Sequence, residues 1–513
     1  MSTTPPPASD PNTKLPKLTF LEKFGFGSGD LASNLIWQSG GIFQNFFYTD
    51  IFRLAPGAVA MVMLFSRVFD GFVDVAVGAW ADRTNTKWGK FRPFIIWWVL
   101  PVALVFVMNY TVPPKSWDMH FFDVPAFHFF GYPVAAAPIT GYLVYAWFTS
   151  ALLMSLYSVI NIPYGALSGV MTNEPHDRNS LGAFRMGLAN VGGLIIAFFI
   201  NPLIRTFGRN PDGTVDKAKG CHWAVMLFAG LFIFFFLLTF FTCKERIQPP
   251  PAQKTKFKDD FATLFRNKPW VIMSLFAIIN MTLVFLRLGD MSYYFHYSIG
   301  LMDAKLNQLT INLGLFQITW LTKEDFLWAW GSISFVIGTF FTKGAVKMFG
   351  KVNANIIATA LSGILLVPFY FVPPGGVSWV LIITFVSQFF GGIAASLYWS
   401  MLGDIADFSE WKFKSRNTGL IFSSTTFAQK MGIAIGGGGI LNVILWKIGY
   451  QPDIVQPANV VHGINVMMGL IPGIGTFLIA FLFLGYELDD AFLKQMREDL
   501  AARRAGRPAE QPA

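Results

Sequence analysis

The sequence predicts an all-α integral membrane protein with twelve transmembrane helices in two six-helix bundles. Three observations lead to this fold class. Of the 513 residues, 53% are hydrophobic and only 13% are charged, which is too little charge for a soluble chain of this length. Apolar stretches close to the ~20 residues of a helical crossing recur along the whole chain. A Pro-rich, basic segment at 244–269 separates six of them from six more.

Each apolar stretch is predicted to be a helix, because transmembrane strands would show short alternating segments. The twelve spans are centred in 30–50, 58–80, 93–110, 138–162, 183–205, 222–242, 270–296, 327–343, 354–373, 377–402, 418–446 and 464–486. They divide the chain into a disordered tail (1–22), an N-terminal bundle (23–243), a linker (244–269), a C-terminal bundle (270–487) and a second structureless tail (488–513).

The placement of basic residues predicts the orientation. Most of the 39 Lys and Arg residues fall in segments that share one side of the membrane if both termini are cytoplasmic. The net charge of +9 is then a signal of topology and of attraction to lipid headgroups, not of nucleic-acid binding. The N-terminal stretch lacks the apolar core of a cleaved signal, and the expected location is a bacterial inner membrane.

A faint repeat relates the two halves. "GAWADRTNTKWGKFRP" follows the second span and "TFFTKGAVKMFGKVN" follows the eighth, and both carry Gly-Lys close to an aromatic residue. Two related six-helix halves are typical of secondary transporters, whose site lies between the bundles near the middle of the membrane. The inserts at 111–137 and 298–325 are expected to face outward.

The second span contains three charges, Arg67, Asp70 and Asp74, which fall within about 60° on one helix face. Each would cost about 2.5–3.5 kcal/mol facing lipid, so this face must point to protein or water. One interpretation is a buried Arg67–Asp70 ion pair that locks helix packing. The other, which also accounts for Asp74, is an oxygen-rich site for a sodium ion or a proton, and it is favoured because intramembrane ionisable groups are functional by default.

Other polar positions indicate a site for a polyhydroxylated ligand, with hydrogen-bonding groups for hydroxyls and an aromatic face for a sugar ring. They are Asn34, Trp37 and Gln38 in the first span, Tyr157 and Asn161 in the fourth, and Arg185 in the fifth. A purely structural role at the Pro163 kink is an equal alternative for the fourth span.

Two further spans contain charges. In the eleventh, Lys430 follows Thr426 by one turn and lies too deep to reach the interface easily. In the seventh, Arg287 has the spacing to pair with Asp290, and structural and functional interpretations are balanced there.

Two cytoplasmic segments, "DRTNTKWGKFRP" and "GDIADFSEWKFKSRNTG", form either solvated loops or a gate latch in the outward-open state. The latch residues would be Asp82, Arg83, Arg92, Asp404, Asp407, Glu410 and Arg416.

Several of these motifs occur together, in order, in one family. "DGFVD", "DRTNTKWGKFRP", "NIPYGALS", "DRNSLGAFR" and "DIADFSEWKFKSRNTGLIFSSTTFAQKMG" resemble the glycoside–pentoside–hexuronide:cation symporters of the major facilitator superfamily, which include melibiose permease. The resemblance implies a twelve-helix transporter that moves a sugar or glycoside with H⁺, Na⁺ or Li⁺ by alternating access.

The resemblance also implies roles for individual residues. Asp70 and Asp74 match the cation-site acids, and Ser158 matches a hydroxyl beside them. Asn161 and Asn34 stand where melibiose permease has acids, the first shared by both sites and the second in the sugar site. The remaining matches are in the sugar site: Tyr157, Arg185, Thr426 and Lys430.

Departures from the pattern limit what the resemblance implies. Ser33 replaces a lysine, and Gly165 replaces an aromatic residue, so galactoside specificity does not carry over. Val73 replaces an amide, which favours H⁺ over Na⁺. A pocket that keeps Arg185 and Lys430 but loses two acids is more cationic and would tolerate a uronate.

Three alternatives are weaker. A lipid or lysolipid carrier would suit the 55 Phe residues, but not the polar positions. A sugar sensor would need a signalling domain, and an enzyme would need a nucleophile–base pair or a metal set. The expected partners are a sugar or glycoside, a monovalent cation and membrane lipids, with no nucleic acid and no cofactor beyond the co-transported H⁺ or Na⁺.

Overall fold

A computed structural model describes residues 17–84, 86–124, 127–129, 132–134, 137–172, 175–246, 264–301, 309, 311–312, 317–318, 322–413, 418–452 and 454–504. The chain divides into two compact units, 1–252 and 253–513, and the division falls within the predicted linker. The described part of each unit contains six long helical segments.

The helices of the N-terminal unit are α1 (20–51), α2 (Pro56–Arg83), α3 (Arg92–Asn109), α4 (Gly141–Met171), α5 (Pro175–Gly208) and α6 (Lys217–Thr242). Helix α1 begins three residues before the predicted bundle, because Thr19 and Glu22 form a reciprocal capping box at its first turn. It consists of α-helical Phe20–Gln38 and Gln44–Phe46 and π-helical Ser39–Phe43 and Phe47–Ile51.

The helices of the C-terminal unit are α7 (Lys268–Ser298), α8 (Lys323–Phe349), α9 (Lys351–Phe371), α10 (Val377–Phe413), α11 (418–448) and α12 (Ala458–Gly485). Three of them include π-helical segments, which are Tyr294–Ser298 in α7, Ala434–Ile440 in α11 and Val466–Leu470 in α12. Such segments carry one extra residue per turn and are frequent at functional sites.

Short antiparallel hairpins occupy the described parts of the two inserts. In the first insert β1 (His120–Val124) pairs with β4 (Ala137–Thr140), and β2 (Phe127–Phe129) pairs with β3 (Tyr132–Val134). In the second, β5 (Ile311–Asn312) pairs with β6 (Gln317–Ile318).

Nine of the described helical segments are long and apolar enough to cross a membrane, and they are all of α1–α12 except α1, α2 and α8. Those three carry more polar residues, and α2 includes the charges at 67, 70 and 74. The predicted all-α membrane fold is confirmed.

The predicted C-terminal tail is wrong over part of its length. Residues Asp490–Arg504 form a thirteenth helix, α13. Its buried side chains Leu493, Met496 and Leu500 join the hydrophobic core of the C-terminal unit, because their spacing places them on one face. The indole of Trp411 also donates a hydrogen bond to Asp499 (3.0 Å).

The internal repeat has a structural basis at the ends of α1 and α7. Each helix ends in a π-helical turn, and the chain then passes through a left-handed residue, Arg53 (φ 64°) or Gly300 (φ 82°). The closing hydrogen bonds also correspond. The amide of Leu54 donates to the carbonyl of Tyr48 (2.8 Å), and that of Leu301 donates to Phe295 (2.9 Å).

The predicted Gly-Lys repeat marks a second shared feature, an acid that caps the start of the third helix in each half. Gly89 and Gly350 both have positive φ, at 111° and 77°, and an added Cβ would lie within 2.7 Å of Glu245 or Asp490, respectively. Glu245 accepts hydrogen bonds from three successive amides at residues 90–92 (2.7–2.9 Å). Asp490 accepts one from the amide of Lys351 (3.0 Å).

Replacing the N-terminal cap, Glu245→Gln, is expected to lower stability by about 1.5–3 kcal/mol, because three backbone donors lose a charged acceptor. The measurement is the thermal unfolding midpoint of the purified protein in detergent. Glu487→Gln is the matched control, because the Glu487–Lys268 pair is about half exposed and such pairs contribute at most about 1 kcal/mol. Equal midpoints for the two variants would contradict the role given to Glu245.

Candidate functional site

The two acids predicted to bind the cation lie on α2 of the N-terminal unit. Asp70 is buried, and its Oδ1 accepts a hydrogen bond from the hydroxyl of Ser158 on α4 (2.7 Å). Asp74 lies one helical turn further along and is half-buried. The structure thus brings Asp70 and Ser158 together as expected.

Arg67 is buried on the same helix and close enough to Asp70 for their charges to interact, but its Nη1 has no hydrogen-bond partner in the described part of the chain. Its guanidinium lies instead over the ring of Trp37, 5.2 Å from the centroid. Trp37 in turn stacks on Tyr157 (centroids 6.3 Å apart, 27° between planes). The guanidinium of Arg67 thus has an aromatic face from α1 as a direct contact, and a packing role for Arg67 and Asp70 stays an interpretation.

Amide and hydroxyl groups connect α1 to α4. Ser33 donates a hydrogen bond to Oδ1 of Asn161 (3.2 Å), and Asn34 donates to the carbonyl of Asp30 on its own helix (2.9 Å). Asn161 follows Ser158 by one turn, so this contact lies beside Asp70. The predicted sugar-site and cation-site residues are thus neighbours within one unit.

The first helix also contains a residue that the sequence interpretation missed. Asp30 is buried and forms an ion pair with Arg185 of α5, whose guanidinium lies 5.8 Å from the ring centroid of Tyr164. The expectation of a more cationic pocket did not take this acid into account, and Asp30 offsets the charge of Arg185. Asp30 is the first residue of the predicted span, a position where a charge is unremarkable. Its one-turn spacing to Asn34 is the pattern that could have identified it.

Two adjacent glycines bring α5 against α1 at this site. A Cβ on Gly192 would lie 2.5 Å from the carbonyl oxygen of Leu31 and 3.1 Å from Cβ of Asn34. A Cβ on Gly193 would lie 3.2 Å from Nε2 of Gln38. The close approach of the two backbones fixes Asn34 and Gln38 beside α5.

Together these residues form a single set on α1, α2, α4 and α5, which we call the N-terminal polar cluster. Its members are Asp30, Ser33, Asn34, Trp37, Gln38, Arg67, Asp70, Asp74, Tyr157, Ser158, Asn161 and Arg185. The cluster contains three carboxylates and two guanidinium groups. With all five ionised, its net charge is −1.

The other predicted site residues belong to the C-terminal unit. Thr426 and Lys430 lie one turn apart on α11, the first exposed and the second half-buried. Arg287 and Asp290 are both buried on α7, and these two described residues do not form the predicted ion pair with each other.

Some of the predicted latch residues have partners within their own unit. Asp404 is buried and pairs with Lys351 (2.5 Å), and Arg92 donates to the carbonyl of Phe240 (2.7 Å). Asp407 and Glu410 are half-buried on α10. The side chains of Asp82 and Arg83, and all of Arg416, lie outside the described residues, so the latch stays a prediction.

Comparisons with known proteins agree with the family predicted from the motifs. The family model for "MFS/sugar transport protein" matches residues 25–490. The chain is 30% identical to the inner membrane symporter YicJ of Escherichia coli (strain K12) over 489 residues, which cover 94% of this chain and 95% of that protein. It is 28% identical to the glucuronide carrier protein homolog of the same organism over 482 residues, with the same coverage of each.

A solved structure supports the fold. The similarity to the crystal structure of a D-xylose-proton symporter covers 91% of this chain and 95% of the symporter chain, with a TM-score of 0.55 at 14% sequence identity. From the family match and the near full-length similarity to YicJ, the chain belongs to the MFS/sugar transport protein family.

Proposed function

We propose that this membrane transporter moves a neutral sugar or glycoside together with one monovalent cation by alternating access, with both termini cytoplasmic. The observation that carries the proposal is the N-terminal polar cluster, in which the Asp70 carboxylate, its Ser158 donor and Asp74 lie beside the polar and aromatic side chains expected of a sugar site. Relatives named as symporters support the same function.

The charge of the cluster accounts for coupling. Its three carboxylates and two guanidinium groups leave one negative charge, which one bound H⁺ or Na⁺ neutralises. An intramembrane site is costly to move while charged, so the cation-loaded cluster is the form that can change conformation with substrate. Cation and sugar then favour each other's binding reciprocally, typically by about 1–3 kcal/mol.

Asp70 and Asp74 are the proposed cation ligands, with Ser158 and Asn161 beside them, and H⁺ is the favoured cation. The proposed substrate residues are Asn34, Gln38, Tyr157 and Arg185, with Thr426 and Lys430 from the C-terminal unit. The stacked rings of Trp37 and Tyr157 offer an apolar face for a sugar ring.

A neutral substrate is favoured over a uronide by the Asp30–Arg185 ion pair. A substrate carboxylate would have to compete with Asp30 for the guanidinium, whereas hydroxyls can bond to both members of the pair. The similarity to the glucuronide carrier protein homolog makes uronides the comparison to test.

The test is uptake of labelled pentosides, glucosides, galactosides and uronides into right-side-out vesicles, each with a proton gradient, a sodium gradient or neither. We expect accumulation of a neutral glycoside that collapses when the proton gradient is removed. Absence of accumulation under every gradient, by folded and inserted protein, would contradict the proposal, and labelled lysolipids would be tested next.

The variant Ser158→Ala distinguishes a proton site from a sodium site. The hydroxyl donates to ionised Asp70, so its loss favours the protonated acid, and half-maximal proton-driven uptake should need roughly tenfold less H⁺. A sodium site would respond oppositely, because it loses an oxygen ligand. Ser155→Ala is the matched control, since Ser155 lies one turn earlier and, among the described residues, donates its hydrogen bond within α4, to the carbonyl of Ala151 (2.8 Å). Unchanged H⁺ dependence in Ser158→Ala would contradict the assignment.

A further inference from the structure

The C-terminal unit contains a second buried acid that plays no part in the proposed coupling. Asp290 of α7 has 0% exposed surface, and neither of its carboxylate oxygens has a hydrogen-bond partner in the described part of the chain. Arg287, one turn earlier, is 5% exposed, and its Nη1 also lacks a partner there. The two side chains therefore do not neutralise each other.

Two other polar side chains on α7 near Asp290 have partners of their own. The hydroxyl of Tyr294, one turn later, donates to the carbonyl of Phe369 (2.8 Å). Nδ1 of His296 lies 2.9 Å from the carbonyl oxygen of Ser292 and 3.7 Å from a carboxylate oxygen of Glu324. These contacts leave Asp290 without a donor from its own helix.

The segments packed against this end of α7 supply no counter-charge. The π-helical segments Ala434–Ile440 and Val466–Leu470, and the helix Ile471–Ala480 that follows, contain no titratable side chain. Lys447 of α11 is exposed, and so is His462 of Ala458–Asn465, a segment that packs on Tyr294–Ser298; Nδ1 of His462 lies 3.3 Å from the hydroxyl of Tyr370.

Titratable groups elsewhere on the packed helices lie towards the opposite end of α7. A Cβ on Gly432 of α11 would lie 2.3 Å from the carbonyl of Ile278, which places nearby Lys430 about three turns from Asp290. Helix α10 approaches α7 where Tyr398 meets Phe276, near that same end, and its charged residues lie beyond Tyr398.

An ionised carboxylate in such a place would have neither solvent nor a counter-charge nor a hydrogen-bond donor, which is among the most unfavourable situations for a charge in a protein. A proton removes the charge and needs no further ligands. We propose that Asp290 is a second proton-binding site, located in the C-terminal unit and distinct from Asp70 and Asp74, and that it carries H⁺ as a neutral carboxylic acid.

The surroundings suit a site that exchanges its proton. Asp290 lies one turn before α7 changes from α- to π-helical geometry, and α11 makes the same change at Ala434–Ile440, which packs on α7. π-Helical segments of this kind are frequent at functional sites.

Infrared difference spectroscopy of the purified protein in detergent tests the proposal directly. At neutral pH, wild type minus Asp290→Asn should show the carbonyl band of a protonated carboxylic acid, shifted in D₂O. The same band should persist in Asp70→Asn and Asp74→Asn. Its absence from the wild type, or its disappearance on adding NaCl, would overturn the proposal, the second by indicating a sodium site.

A stability measurement keeps the proposal testable if the amide variant folds poorly. Ionising Asp290 at high pH would leave an uncompensated buried charge, so the unfolding midpoint of the wild type should fall relative to that of Asp290→Leu as the pH rises. Parallel pH profiles would overturn the proposal. Neither measurement needs transport, so the result is independent of the proposed symport.

Discussion

Asp70→Asn is expected to abolish accumulation of sugar against its gradient while leaving the protein folded in the membrane. Asparagine keeps the shape of the side chain and can still meet the Ser158 hydroxyl, but it carries no charge for a cation to neutralise. The substrate would then only equilibrate, and the ratio of internal to external sugar would fall to about one. Each tenfold of lost accumulation corresponds to about 1.4 kcal/mol of coupling.

The measurement is gradient-driven uptake in vesicles, paired with exchange of labelled for unlabelled sugar at equal concentrations. We expect Asp70→Asn and Asp74→Asn to lose uptake but retain exchange, because exchange needs no net cation movement. Asp212→Asn, in the exposed loop before α6, is the control and should behave as the wild type. Undiminished accumulation in both α2 variants would refute the cation assignment.

Asp30→Asn is expected to change substrate preference. It removes one partner of the Asp30–Arg185 ion pair and leaves the guanidinium uncompensated. Breaking the pair should destabilise the site by about 1–3 kcal/mol. This is less than the ~3–5 kcal/mol lost when a fully buried pair is broken, because the side chain of Arg185 is 39% exposed. Neutral glycosides should bind roughly 10- to 100-fold more weakly, whereas uronides should gain because their carboxylate replaces that of Asp30.

Competition against exchange of a labelled neutral glycoside, which needs no net cation movement, measures this change. The ratio of inhibition constants for a matched glucoside and glucuronide should move towards the glucuronide in Asp30→Asn. Arg185→Gln should weaken binding of both competitors. The double variant, which lacks both members of the pair, should show no shift towards the glucuronide. Equal losses for the two competitors in Asp30→Asn would mean that Asp30 serves packing alone.

Much of the fold could be predicted from the sequence, because a membrane crossing is a local property of some 20 consecutive residues. Helix α13 is harder to predict although Leu493, Met496 and Leu500 show the helical period, because a short and largely polar segment after the last span has the composition of a tail. The π-helical segments were not predictable in this way, since they depend on packing between helices and not on composition.

In the candidate site, too, local patterns could be predicted and contacts between distant residues could not. Asp70, Ser158 and Asn161 were identified through motifs, and the structure places them together. The Asp30–Arg185 pair joins residues 155 positions apart, a relation that spacing within one helix does not reveal. The contact of Arg67 with Trp37 also joins two helices, so spacing along α2 alone could not reveal it.

The matched ends of α1 and α7 differ in their energetic cost, although their geometry is the same. The two ends share a path of the backbone and its closing hydrogen bonds, yet one has arginine where the other has glycine. A non-glycine residue at that φ carries roughly 1–2 kcal/mol of strain. The N-terminal corner therefore adopts this geometry in spite of an unfavourable residue, whereas the C-terminal corner forms it without that strain.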